Sequence, residues 1–362
     1  MYAIVLPGRG KSRAGANSEK PREPDAEAKP IRYTKPMTNP AWLPSGTPQF
    51  DSPRFTELAP APEHHGNGDG ESPLVPVAPF DRAVLSWNGV GHWRLEMRLR
   101  IDGALTPYYT LGVLDGEAQS SAPPPDPAGE DVHLDLDTLR VGEGRTADAF
   151  QVRATGTGDL TLLAVAHYRA EDCAYTEQPA LPSAWGTVLD VPSRAQKDVE
   201  EETHIGGIVC SPTSVSMALE YHGGTYRTID VCRAVVDGAS KVYGNWPCNT
   251  GAAARLLPGS WSAVVKMTGF AEMEQEIARG FPVVLSHRWE AGDLSNPPIL
   301  RSNGHLILVV GFTPNGDVVV NDPAAKVDEV RRVYRRRELF HTWQELSQGI
   351  VYLIHPMPET TP

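Results

Sequence analysis

One cysteine in this chain stands where nucleophilic chemistry is easy to arrange. In Val209-Cys210-Ser211-Pro212-Thr213-Ser214-Val215-Ser216-Met217-Ala218-Leu219, Cys210 opens a stretch of amphipathic helical spacing, and Gly206-Gly207-Ile208 precedes it. Cysteine attacks as the thiolate, and a free thiol is mostly protonated at neutral pH. A helix N-terminus supplies partial positive charge and unpaired N–H groups that favour the anion. Pro212 fits the first turn, where its missing N–H is not needed. The proton needs an acceptor, and His305, in Gly304-His305-Leu306-Ile307-Leu308-Val309-Val310-Gly311-Phe312, suits that role. Asp322, in Val318-Val319-Val320-Asn321-Asp322-Pro323, can orient the imidazole. Read singly, Cys210 is compatible with inert core, His305 with a structural histidine at a strand edge, and Asp322 with a turn before Pro323. Together they describe a nucleophile, a base and an orienter.

These residues must be carried by elements that bring them together. The helix from Ser211 to Glu220 stops at Gly223-Gly224. Helices are expected over residues 229–236, over 250–257 with Asn249 as cap, and over 271–279. A buried strand is expected over 281–286, then a hairpin whose arms are 306–312 and 318–320, turned at Pro314-Asn315-Gly316-Asp317. A hairpin sets His305 and Asp322 in one neighbourhood. Strands over 330–334 and 350–354, with a short helix over 339–346 between them, complete an α+β domain. His287, Trp289 and Glu290 follow the 281–286 strand and are candidates to face a cleft. Asn245 and Trp246, in Tyr243-Gly244-Asn245-Trp246-Pro247, are candidate substrate contacts or else a turn with a packed indole. Ser211, beside the nucleophile, is a third candidate substrate contact.

Upstream the pattern changes twice. Residues 1–72 are rich in Pro, Gly, Ser and charge and read as a disordered tail and linker; His64-His65 within it read as solvated linker histidines. Residues 73–172 alternate. Trp93-Arg94-Leu95-Glu96-Met97-Arg98-Leu99-Arg100-Ile101 has the period of a half-buried strand, and short strands follow between Gly, Pro and Asp turns. An all-β sandwich is expected, with Trp87, Trp93, Tyr108 and Tyr109 as core or, alternatively, as a carbohydrate-stacking surface. Residues 173–190 read as a linker and 191–362 as the α+β domain.

The whole chain has 362 residues and a net charge of -12, which argues against nucleic acid as a partner because a basic face is required for it. No apolar run approaches a bilayer span, and the apolar start, residues 1–6, is shorter than a signal h-region. The four cysteines, Cys173, Cys210, Cys232 and Cys248, form no C-x-x-C pair, so no metal site or cofactor is expected. A bridge between Cys232 and Cys248 is left open.

The combination resembles the papain-like cysteine peptidases of the bacteriocin-leader-processing type (peptidase C39-like), in their broader bacterial secreted branch. The carriers are Cys210-Ser211-Pro212-Thr213-Ser214 followed by Met217, Tyr243-Gly244-Asn245-Trp246-Pro247, Gly304-His305-Leu306 and Asn321-Asp322-Pro323-Ala324. The resemblance implies a papain-like core, a Cys210–His305–Asp322 triad, an acyl-enzyme and a peptide or protein substrate. It leans toward export and implies that residues 73–172 are the sandwich that often precedes such a domain, with carbohydrate or cell-wall contact as a role for it. The family also carries an oxyanion-holding glutamine upstream of the cysteine. At the papain spacing stands His204; Gln196, in Pro192-Ser193-Arg194-Ala195-Gln196, matches the Pro-x-x-x-Gln stretch of members with a longer loop, and is the residue expected there. The acidic stretch 199–203 then reads as a solvated loop near the cleft, or as a selector of basic substrates. Two other functions remain: a wall-binding module with an inactive peptidase-like domain, and an acyl transferase.

Overall fold

A pair of long strands organises the first half of the computed structural model, which describes residues 52–58, 66–122, 131–199 and 204–357. The strands in order are β1 (Phe55–Leu58), β2 (Gly66–Glu71), β3 (Val75–Phe80), β4 (Arg82–Ile101), β5 (Ala104–Leu105), β6 (Tyr109–Gly116), β7 (Ala118–Ser120), β8 (Val132–Asp135), β9 (Thr138–Val141) and β10 (Ala147–Tyr168). The alternation read from residues 93–101 is realised. Trp93, Leu95, Met97, Leu99 and Ile101 enter a buried core, while Arg94, Arg98 and Arg100 keep contact with water. β4 and β10 pair along their whole length. At their middle the backbones approach so closely that a Cβ on Gly156 would stand 1.9 Å from the His92 carbonyl oxygen. Only glycine fits there.

Three features of this half bear on the sequence reading. Hydrogen bonds join all ten strands in one network, because β4 and β10 each run through it. β1 and β2 fall inside the span that composition marks as tail and linker. β10 supplies the ladder partner for both, so polar and glycine-rich sequence becomes strand without an apolar pattern of its own. Trp87, Trp93 and Tyr109 are buried, and Tyr108 lies against Arg98 and Arg153; these rings are not a free stacking platform. His64, His65 and the acidic residues 200–202 lie outside the described residues, as do residues 1–51 and most of the proline-rich loop before β8.

The second half mixes helices with an antiparallel sheet. Its helices are α1 (Cys210–Tyr221), α2 (Thr228–Val235), α3 (Trp246–Leu256), α4 (Phe270–Ala278) and α5 (Arg336–Phe340). Its strands are β11 (Ser260–Lys266), β12 (Val283–Trp289), β13 (Ser302–Phe312), β14 (Val318–Asn321), β15 (Arg331–Tyr334) and β16 (Ile350–Pro356), in the order β11-β16-β12-β13-β14-β15. β13 reads as an unbroken apolar run because both its faces are buried. Leu306, Leu308 and Val310 pack with Val215, Met217, Ala218 and Leu219 of α1. Ile307 and Val309 pack on the other side with Phe270, Met273 and Ile277 of α4 and with Trp343. Each such side chain contributes roughly 1.5–3 kcal/mol on burial.

Here too some boundaries move. α1 is buried from Ser211 to Leu219 on every side, so the expected amphipathic helix is a central one. Two of its hydroxyls, for example, turn to backbone acceptors: Thr213 to the Val209 carbonyl (2.7 Å) and Ser214 to the Leu306 carbonyl (3.1 Å). α3 starts four residues early because Asn245, not Asn249, is its cap and accepts the Cys248 N–H at 3.1 Å. The helix expected over 339–346 divides into α5 and a π-turn, His341–Glu345. β11 has no counterpart in the sequence reading. Cys232 and Cys248 are free thiols in different clusters, so they form no bridge.

The two halves meet along β4 and β11. Ala83, Leu85 and Trp87 of β4 face the all-β core, whereas Val84 joins the core under α1. β11 is an edge strand whose outer groups need partners. Asn88 provides two of them: its amide donates to the Ser262 carbonyl (2.7 Å), and its oxygen accepts the Ser262 N–H (3.0 Å). Ser86 Oγ accepts the Val264 N–H at 2.9 Å. The described residues all fall in one compact unit, Pro48–Pro362.

Candidate active site

Cys210 is the first residue of α1 and is partly exposed, unlike the nine residues that follow it. The residue before it, Val209, has no side-chain group with which to cap the helix. Pro212 has no N–H, and the Thr213 N–H is taken by the Val209 carbonyl at 3.1 Å. The first N–H groups are therefore left for an anion. Burial by itself raises the Cys210 thiol. The charged His305 ring, its hydrogen bond, and the N–H groups of Leu306 and Ser211 overcome that, and the net shift is downward.

His305 stands near the start of β13, buried, opposite His287 in the ladder. Its Nε2–H donates to Asp322 Oδ1 at 2.8 Å, so the ring's other nitrogen is the one left for Cys210. Burial disfavours a charged imidazole, but Asp322 and then Cys210 outweigh it and raise His305 to about 10. Asp322 follows β14 directly. Its Oδ1 also accepts the Ala324 N–H (3.0 Å), and its Oδ2 accepts the Tyr334 hydroxyl (2.7 Å). Burial opposes ionisation there, yet His305 and these donors hold the carboxyl at about 2. The arrangement favours a charged imidazole between Cys210 and the Asp322 carboxylate in a site largely shielded from water.

Two rings wall off the histidine. Trp289 lies edge-on at 5.6 Å between centroids, and His287 lies at 5.7 Å. Burial first, and then the charge on His305, push His287 down to about 3, so it is neutral; its Nδ1 pairs with Thr342 Oγ1 at 3.2 Å. Glu290, the third candidate after β12, is exposed.

The remaining candidates separate clearly. Gln196 is buried, and its N–H donates to the carbonyl of Pro323, the residue after Asp322, at 2.8 Å. Its Oε1 has no hydrogen-bond partner among the described residues. His204 is exposed with a φ of 58°, in the left-handed region, beside residues outside the description. Ser211 is not an open substrate contact: its hydroxyl is buried, donates to Asn249 Oδ1 (2.8 Å) and meets the Tyr352 hydroxyl (3.2 Å). Asn245 is buried as the cap of α3, with its amide on Asp237 at 3.0 Å. Helix capping and core satisfaction consume both side chains, which is why neither faces solvent. Trp246 stays half-exposed and packs on the same core as Cys210.

Sequence reasoning missed Tyr334. It ends an ordinary-looking strand opposite Val318, and its hydroxyl nonetheless reaches Asp322 in the folded chain. No group of three or more His, Cys, Asp or Glu is placed to hold a metal ion among the described residues. No helix among them is long and apolar enough to cross a membrane.

Comparison with known proteins adds a family. A sequence model of the Peptidase_C39 like family matches residues 188–351. No curated protein matches the chain. Similar solved structures include one described as a C39-like peptidase from Bacillus anthracis, at 16% identity and a TM-score of 0.35, covering 48% of this chain and 99% of that one. A second is a double glycine motif protease from an AMS/PCAT transporter in complex with the leader peptide, at 18% identity and a TM-score of 0.32, covering 47% of this chain and 95% of that one. A third is the peptidase domain of Streptococcus ComA, a bifunctional ABC transporter involved in quorum sensing, at 14% identity and a TM-score of 0.30, covering 48% of this chain and 99% of that one.

Proposed function

Residues 188–351 match the Peptidase_C39 like family, and from that match we propose that this protein hydrolyses peptide or related amide bonds through Cys210, His305, Asp322 and Gln196. The observation that carries the reading is the double engagement of His305, whose charge couples to Cys210 on one side and whose ring hydrogen-bonds a fully satisfied Asp322 on the other. The Cys210 thiolate attacks the carbonyl carbon, and the oxygen takes the negative charge. The Cys210 N–H, uncapped at the start of α1, and the Gln196 amide hold that oxygen. His305 gives its proton to the leaving amine as the C–N bond breaks, leaving a thioester on Cys210. It then takes a proton from water, which attacks the thioester and frees the acid and the thiolate. Asp322 holds the ring's tautomer throughout.

An inactive wall-binding domain has no need of a depressed thiol, and the downward shift of Cys210 speaks against it. The burial of Trp87 and Trp93 removes the motive for carbohydrate stacking. Transfer of the acyl group to an amine uses the same machinery and differs in the acceptor alone.

The test is hydrolysis of a fluorogenic peptide library by the wild-type chain and by Cys210→Ala. We expect the variant to lose about 10³-fold or more in rate while melting within a few degrees of wild type. Turnover that survives in Cys210→Ala overturns the mechanism. An added amine that diverts product from acid to amide would instead identify a transferase.

A further inference from the structure

The segment between α2 and α3, residues 236–245, is held by the all-β half. Gln119 of β7 bridges to Asp237, and its carbonyl accepts the Gly238 N–H at 2.8 Å. The Gln119 side chain accepts from Trp87 Nε1 (2.8 Å) and donates to the Cys248 carbonyl (3.1 Å). Asp237 Oδ1 accepts the N–H of Ser121 at 2.9 Å. From the turn between β8 and β9, Asp137 reaches the start of α3 and accepts the Trp246 N–H on Oδ2 at 2.9 Å.

That last bond completes a helix cap drawn from both halves. The first turn of α3 has two N–H groups to satisfy, because Pro247 has none. Asn245 takes the one on Cys248, and Asp137 takes the one on Trp246. The helix ladder begins at the next residue, with the Asn249 N–H on the Asn245 carbonyl at 3.1 Å. Asn249 also ties the turn to the nucleophile. Its amide donates to the carbonyls of Tyr243 (2.8 Å) and Asn245 (2.7 Å), and its oxygen holds the Ser211 hydroxyl. Ser211 follows Cys210 directly in the chain, and its N–H is among the groups that favour the Cys210 thiolate. A path of hydrogen bonds therefore runs from Asp137 in the all-β half, through the first turn of α3, to the residue bonded to Cys210.

We infer that Asp137 is a positioning residue for Cys210, and that the all-β half is part of the active-site frame: by capping α3 it fixes, through Asn249 and Ser211, the N–H that steadies the thiolate. An acceptor oxygen at a helix N-terminus stabilises the turn it caps; burial raises the Asp137 carboxyl to about 6, it accepts the Trp246 N–H in either form, and this cap is supplied in trans by a different half of the fold. An accessory unit that served only to bind a partner would have no need of it.

The test uses the full-length chain and iodoacetamide, with alkylation of Cys210 followed by mass spectrometry between about pH 5 and pH 9. It does not depend on which amide the site cuts, so its outcome and that of the peptide assay are separate. Asp137→Ala is expected to slow alkylation near pH 6 roughly tenfold, one unit in the thiol titration, and to leave the high-pH rate unchanged. Asp137→Asn keeps an acceptor oxygen and is expected to restore the rate to within about twofold. Ser211→Ala, which releases Asn249, should match Asp137→Ala, and the double variant should be no slower than either single one. A wild-type profile in Asp137→Ala overturns the inference, as does an Asn variant no better than Ala, or single effects that multiply. Should Asp137→Ala fail to fold, the Ser211→Ala profile decides, and a wild-type profile there overturns it equally.

Discussion

Cys210 and Cys248 both sit in the first turn of a helix that also holds a proline, yet their environments do opposite things. Cys210 begins α1, whose preceding residue offers no side-chain cap, and its thiol is depressed. Cys248 lies in the first turn of α3, where Asn245 already occupies its N–H. Burial raises the Cys248 thiol well above the ordinary range, and the carboxylates of Asp237 and Asp137 raise it further. Cys232, within α2, is likewise pushed up to about 12 by burial. A helix N-terminus is therefore not enough to depress a thiol in this protein. The charged His305 ring and the nearby N–H groups lower Cys210, whereas burial and two aspartates raise Cys248.

The largest effect should come from setting the two cysteines against each other. Iodoacetamide at neutral pH should modify Cys210 at least about 10³-fold faster than Cys248 or Cys232 in the folded chain, with peptide mapping as the readout. Comparable rates for Cys210 and Cys248 would erase the distinction.

A smaller effect concerns stability against pH. His305 is raised above 6.5, so its stabilisation is whole below that pH and is lost as pH climbs toward about 10. A depressed cysteine works the other way, gaining stability as pH approaches its unfolded value of 9. In wild type the two partly cancel. Cys210→Ala leaves Asp322, the larger charge partner of His305, in place, and should unmask the decline: urea midpoints should fall more steeply above pH 6.5 than in wild type. Parallel curves would mean that His305 carries no raised charge. Asp322 adds stability above 3.8 that is lost only as pH falls through about 2, so neither chain should weaken on its account between those windows.

The smallest expected effect tests the cap. Asn245→Ala should cost about 1 kcal/mol in urea unfolding. It should not activate Cys248, because burial and the two aspartates still oppose its thiolate. A Cys248 that becomes alkylated in the folded variant would show that the cap alone had held it inert.

How much of this was readable beforehand depends on the range of each interaction. The alternation around Trp93-Arg94-Leu95 and the apolar runs of β12, β13 and β16 were legible because pleat and burial write a local period. Cys210, His305 and Asp322 were legible as a set because a hairpin joins the last two and a helix start marks the first. The glycine-rich strand β2 was not, since its only reason to be a strand is β10. Ser211 and Asn245 stood as candidate substrate contacts, Asn245 also as a turn residue, because a polar residue looks the same in sequence whether it faces a cleft or is satisfied within the fold. Tyr334 and Asp137 were invisible: each acts on a residue that only the assembled sheet, or the junction of the two halves, brings into reach.

By itself, then, the order of residues determined which side chains are able to do the chemistry, and most of the helices and strands that carry them, because both follow from residue type and local spacing. The tertiary structure alone decided which cysteine has a lowered thiol, which donors saturate Asp322, and that the all-β half reaches the start of α3. Those outcomes rest on burial and on hydrogen bonds between residues as far apart as Asp137 and Trp246, and no local pattern encodes such distances.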